Sequence, residues 1–147
     1  MPYSNIFIAV DGSKYSENAV KKGIELAEQL NAKVVIACIV DVSQIVTTSA
    51  VGGVIDDEIL KIYKDEATEV VGSLSKKFPY GKATTITGEG IPQDDIIKLA
   101  RGHKADLIVM GTHGRTGLRH LFMGSVAEYV VRHSKIPVMV VPMHSKT

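Results

Sequence analysis

Short runs of aliphatic residues recur along the chain, separated by stretches with apolar residues at helical spacing. Asn5–Val10, Lys33–Val40, Asp106–Met110 and Pro137–Val141 are nearly continuous in Ile, Val, Leu and Met rather than alternating. Such continuity predicts strands covered on both faces, as in a parallel sheet enclosed by helices. A fifth run, Lys82–Thr87 (Lys-Ala-Thr-Thr-Ile-Thr), is more polar and is expected nearer a sheet edge. Between the runs, Val20, Ile24, Ala27 and Leu30 mark a first helix, and Ile59, Ile62, Tyr63, Val70 and Leu74 a second. A third opens with Pro92 at a favoured first-turn position, where Asp94 and Asp95 suit the positive end of the helix. A fourth carries Val126 and Val130, and Ser125-Val-Ala-Glu128 fits a capping box, so it is expected to start at Ser125. Strand and helix in alternation predict a doubly wound α/β fold. No repeat, low-complexity tract or linker interrupts the pattern, so residues 1–147 read as one domain. Ser43–Gly53, small, polar and glycine-bearing, reads as a mobile excursion after the second strand.

Charge and composition then narrow the partners. Lys plus Arg is 17 and Asp plus Glu 16, a net charge of +1, which disfavours a basic nucleic-acid arm or an acidic tail. A single cysteine, Cys38, rules out a disulfide framework within the chain and makes thiolate zinc ligation unexpected. It reads as a small buried apolar group. The longest apolar run, Val34–Val40, falls far short of the ~18 residues that cross a bilayer. The stretch before Ile6–Val10 lacks the basic region of a signal peptide. A cytoplasmic protein without nucleic-acid or membrane partners is expected.

One loop is unusual. Gly111-Thr-His-Gly114-Arg-Thr-Gly117-Leu-Arg-His-Leu-Phe-Met-Gly124-Ser125 joins the fourth strand to the fourth helix. Such loops usually run ~2–6 residues, and this one is about twice as long. Glycines let a ligand approach the backbone without meeting a Cβ. The N–H groups opening the next helix attract phosphate. Gly124, Ser125 and Val126 are the candidate donors, with the Ser125 hydroxyl as a further one. The plainer alternative makes the glycines a path for the chain and Ser125 a helix cap, the commoner role for a serine there.

Asp11-Gly-Ser follows the first strand. In a parallel sheet Asp11 and Gly111 share the carboxyl edge, where such sheets bind ligands at the point of strand-order reversal. A carboxylate there suits ribose hydroxyls or a base; equally, Asp11 fits a turn or a cap. Gly-x4-Gly-Lys-Ser/Thr and Gly-x-Gly-x-x-Gly motifs are absent, and Gly88-Glu-Gly90-Ile-Pro92 reads as a turn. The histidines at 103, 113, 120, 133 and 144 form no zinc pairing. His113 sits in the glycine loop, where it could meet a ligand or simply pack. Arg115, Arg119 and His120 could balance phosphate charge or be solvated. Ser125 lacks the elbow of a Ser-His-Asp hydrolase.

The spacing Gly111-x2-Gly114-x9-Gly124-Ser125 resembles the nucleotide-binding signature of the universal stress protein family. Its flanks, Asp106–Met110 and Ile136-Pro-Val-Met-Val-Val141, and the opening Ile6-Phe-Ile-Ala-Val-Asp11-Gly-Ser are similar too, so the resemblance covers the whole chain. It implies a five-stranded parallel sheet ordered 3-2-1-4-5 and ATP as ligand. By the same resemblance Asp11 would contact the adenosine part, and Ile39 would present backbone to the adenine edge. Met110 and Gly111 would flank the ribose. Gly114 and Arg115 would lie along the phosphates, and Gly124, Ser125 and Val126 would cradle them. From its position after the second strand, Ser43–Gly53 is expected to cover the adenine pocket, and Mg or Mn would accompany the ligand because triphosphates usually carry one. A homodimer through the edge of the last strand is also implied. ATP as a bound signal is the expected function. Slow hydrolysis, with His113 or Asp11 as base, or phosphotransfer, and a nucleotide-free dimeric scaffold are the alternatives.

Overall fold

The computed structural model describes residues 3–43, 45, 56–113 and 123–142. Its elements are β1 (Asn5–Val10), α1 (Lys14–Leu30), β2 (Lys33–Asp41), α2 (Asp57–Lys77), β3 (Ala83–Gly90), α3 (Pro92–Gly102), β4 (Leu107–Gly111), α4 (Ser125–His133) and β5 (Val138–Val141). The strands form one sheet in the order β3-β2-β1-β4-β5, and every neighbouring pair is parallel. This is the doubly wound sheet the alternation of elements and the family resemblance predict.

Why β1 is apolar from Ile6 to Val10 follows from its position. Successive side chains on a strand point to opposite faces. Ile6, Ile8 and Val10 pack with Val20 and Ile24 of α1 and Val71 and Leu74 of α2. Phe7 and Ala9 pack on the other face with Ile96 and Ala100 of α3 and Ala127 and Val130 of α4. Between Ile6 and Val10 neither face of β1 meets water, so no position there alternates to polar. β3 ends the sheet, as its Thr-rich sequence suggests, and its residues alternate between half-buried and exposed over much of its length.

Three local expectations are corrected. Gly88–Gly90 is strand, not turn: β3 continues to pair with β2 through Ile39↔Gly88, Val40↔Glu89 and Asp41↔Gly90. Gly90 is needed because its φ is 152° and a Cβ there would lie 1.8 Å from Asp95 Oδ2. That carboxylate accepts the Ile91 N–H at 2.7 Å, which draws the first turn of α3 against the strand end. Ile62, expected on the buried stripe of α2, is 64% exposed. Ile59, Tyr63, Ala67 and Leu74 share the packed stripe, and Ile62 falls off its flank on a helix of 3.6 residues per turn. The third correction, at the start of α4, belongs to the site.

The crevice forms around β1. The chain leaves β1 through α1 toward β2 and β3, then returns to β4 on the opposite side of β1. The end of β4 also sits tight under α1. A Cβ at Gly111 would come within 3.0 Å of Tyr15 Cβ and 3.1 Å of the Tyr15 carbonyl oxygen. Backbone cannot swing away as a flexible side chain does. Gly111→Ala is therefore expected to lower stability by about 1–3 kcal/mol, the usual cost of overpacking. A urea midpoint equal to that of the parent protein would contradict this seating of α1 on β4.

Candidate functional site

β1 stops at Val10, opposite Cys38, whereas β2 runs on to Asp41 paired only with β3. From Ile39 onward, the edge of β2 that faces β1 has no strand neighbour among the described residues. Backbone groups of β2 are thereby left at the mouth of the crevice. On the other side of β1, β4 ends at Gly111 and the chain leaves toward α4. A cavity of about 300 Å³ opens between these ends. Asp11, Ile39, Met110, Gly111, Gly124, Ser125 and Val126 all line it. Gly114 and Arg115 lie outside the described residues, as do Gly117, Arg119, His120, His144 and most of Ser43–Gly53.

Asp11 is fixed by its own turn. Gly12 takes φ 87°, a left-handed conformation open to glycine without a Cβ penalty, and the chain folds back into α1. Ser13 caps α1, its hydroxyl oxygen accepting the Ser16 N–H at 3.4 Å. Asp11 Oδ1 accepts the Ser13 N–H at 2.9 Å and the Ser16 hydroxyl at 2.7 Å. The turn-shaping reading of Asp11 thus holds, while the cap falls to Ser13. Asp11 also faces the cavity, so the structural role accompanies a place at the site.

α4 starts at Ser125 as expected, but without the capping box that the sequence suggests. Gly124 is the N-cap, with no side-chain cap, and Ser125 is the first helical residue. Glu128, expected to reach back over the helix start, instead pairs with Arg132 at 3.1 Å. The reason lies in the loop's neck. Thr112 donates its N–H to the Val141 carbonyl at 3.0 Å and accepts the Gly124 N–H at 2.6 Å. Gly124's donor is therefore committed to protein. The N–H groups of Ser125 and Val126 lie in the first turn, where no preceding helical carbonyl exists to accept them. Gly124 has φ −70° and ψ 164°, extended backbone that any residue adopts. Its missing side chain is not required by its conformation.

Several lining residues were not anticipated. Ser16 sits beneath Asp11; Asp41 extends β2 beyond its expected end; Tyr63, Glu66 and Ala67 enter from α2, and Pro92 and Ile96 from α3. Only Ser16 and Asp41 carried a sequence signal, as polar residues close to the ends of apolar strands. Cys38 is buried, as expected, and forms part of the wall. His113 lines the cavity and also packs, its ring 5.7 Å from that of Tyr15 and its Nδ1 3.1 Å from Thr112 Oγ1.

The site is electrically lopsided. Asp41 of β2 and Glu66 of α2 lie on one side of β1, and the amide-bearing start of α4 lies on the other. A helix start carries about half a positive charge. Strands two apart in a sheet are separated by about 10 Å. The cavity thus suits an elongated ligand with an anionic tail toward α4 and an uncharged, hydrogen-bonding head toward β2. Among the described residues, no group of His, Cys, Asp and Glu could hold a metal ion, and no helix is long and apolar enough to cross a membrane.

A family model described as the universal stress protein family matches residues 2–142. Universal stress protein MJ0531 of Methanocaldococcus jannaschii is 39% identical over 145 residues, 98% of this chain and 85% of the relative. Among solved structures, the hypothetical protein MJ0577 superposes with a TM-score of 0.85 at 27% identity, over 99% of this chain and 100% of that one. The universal stress protein from Archaeoglobus fulgidus in complex with dAMP gives a TM-score of 0.65 at 25% identity, over 95% and 98% of the two chains.

The two helices flanking the cavity on this face are joined by a polar contact. The Tyr129 hydroxyl of α4 donates to Asp94 Oδ1 of α3 at 2.8 Å. His133 stacks on the Tyr129 ring at 4.0 Å and donates its Nδ1–H to the Tyr129 carbonyl at 2.9 Å. Accepting that hydrogen bond, the Asp94 carboxylate raises the Tyr129 hydroxyl above its ordinary pKa of 10.0. A raised folded-state value means that the contact stabilises below pH 10 and is lost as pH climbs through the folded value. In an ultraviolet absorbance titration, one tyrosine is expected to ionise above pH 10 in the parent protein and to fall toward 10 in Asp94→Asn. Identical titration curves would contradict the Tyr129–Asp94 contact.

Proposed function

The chain belongs to the universal stress protein family, and we propose that it is an ATP-binding member whose bound nucleotide acts as a signal. The observation that carries this reading is the pairing of a helix start with a fixed carboxylate across β1 in one cavity. A relative in complex with dAMP supports an adenine nucleotide as the ligand class.

In this reading Ser125 and Val126 donate their N–H groups to phosphate oxygens, and Gly124 leaves room for the approach. Asp11 accepts hydrogen bonds from the sugar end of the adenosine. Met110 and Gly111 flank the ribose, and Ile39 offers backbone groups to the adenine edge where β2 outruns β1. Gly114 and Arg115, outside the described residues, lie along the phosphates. Mg or Mn arrives with the triphosphate rather than in a site of its own. Binding favours one arrangement of the glycine loop over others, which is how a ligand becomes a signal.

The proposal places the protein in the cytoplasm as a single unit over 1–147 that forms a homodimer. β5 ends the sheet and is partnered by β4 alone among the described residues, and Val138, Met139 and Val140 are only half-buried. An unpaired strand edge of this kind invites a second copy.

Calorimetry against ATP, ADP, AMP and inorganic triphosphate tests the ligand. Gly124→Val is expected to weaken ATP binding more than about tenfold with the fold kept, because the backbone angles there accept valine. Asp11→Ala is expected to weaken ATP by about tenfold, the scale of one hydrogen bond, and to spare inorganic triphosphate. ATP affinity unchanged in Gly124→Val would contradict the phosphate approach at the start of α4, and a parent protein that binds no adenine nucleotide would favour the nucleotide-free scaffold. For the assembly, sedimentation at micromolar concentration should give a dimer; a monomer would overturn the β5 interface.

A further inference from the structure

Ser16 is the buried polar residue among those described, at 5% exposure. A hydroxyl taken from water is costly unless its hydrogen bonds are remade. Here they are remade on one residue. Ser16 Oγ accepts the Asp11 N–H at 2.8 Å and donates to Asp11 Oδ1 at 2.7 Å. Both directions are forced: a backbone nitrogen can only donate, so the single hydroxyl proton is left for the carboxylate. A closed ring results, holding the backbone and the side chain of Asp11 together.

Helix α1 has no need of this hydroxyl. Its cap is Ser13, which receives the backbone N–H of residue 16, a group that alanine keeps. Alanine is also the better helix former. The polar atom serves Asp11, and both residues line the same cavity.

We propose that Ser16 is a positioning residue of the nucleotide site, its hydroxyl locking the Asp11 carboxylate in the orientation that meets the sugar end of an adenine nucleotide. This rests on the ATP-binding reading above. The lock is set on folding, so the carboxylate is not ordered at the expense of binding. Its loss affects ligands that carry the sugar and leaves the phosphate cradle, across β1, as it was.

The test is calorimetry on the full chain with Ser16→Ala, Asp11→Ala and the double variant, each with ATP and with inorganic triphosphate. Ser16→Ala is expected to raise the ATP Kd by about tenfold, and to change the triphosphate Kd by less than about twofold. Added to Asp11→Ala, it should change the ATP Kd by less than about twofold, because residues acting as one unit are not additive. Parent-like ATP affinity in Ser16→Ala overturns the proposal. So does an equal loss for triphosphate, or a full further loss in the double variant, either of which marks general loosening of the site. A parent protein that binds no adenine nucleotide sinks the ATP-binding reading itself, and the role of Ser16 with it; that outcome is read before any variant is compared.

Discussion

A parallel sheet brings all its strand ends to one edge, and here the strands stop at different heights on that edge. β1 ends opposite Cys38 while β2 continues to Asp41. Backbone groups need partners, and the step in length leaves part of β2 without a strand on one side among the described residues. The order of the sheet sends the connections from β1 and β4 to opposite sides of β1. A crevice at this place is thus a consequence of topology and strand length together. The chemistry is supplied by what flanks it: the amide-bearing start of α4 on one side of β1, and on β1 itself the carboxylate of Asp11, held by its own turn.

The glycines around this edge are present for different physical reasons. Gly12 is needed for a left-handed φ. Gly90 and Gly111 are needed because Asp95 and Tyr15 lie where a side chain would be. Gly124, the N-cap of α4, has extended dihedral angles that suit any residue. In the proposed nucleotide reading, its missing side chain leaves room for phosphate at the start of α4.

Much of this was legible before the fold was known, and the reasons are specific. β1, β2 and β4 were readable because both of their faces are covered, which makes them apolar without a break. β3 was read too short because Gly88-Glu-Gly90 looks like a turn, yet pairing with β2 continues through it. Ile62 was misplaced because an apolar residue beside a helical stripe looks like part of it. The capping box failed because Ser125 competes with a backbone closure, Gly124 to Thr112, that depends on two distant segments meeting. Asp11 and Gly111 were found by the rule that strand ends share an edge. Tyr63 and Glu66 were not, since their place depends on how α2 lies over that edge. Ser16 had a weak signal only: a serine among apolar helix positions, whose purpose is visible once its bonds to Asp11 are seen.

The central claim is that one cavity reads two ends of one ligand. Backbone amide NMR tests it directly, by following Ser125, Val126, Asp11 and Ile39 while ATP, adenosine or inorganic triphosphate is added. The account predicts that triphosphate shifts Ser125 and Val126, adenosine shifts Asp11 and Ile39, and ATP shifts both sets together. Shifts confined to other surfaces, or none with any of the three, would contradict it.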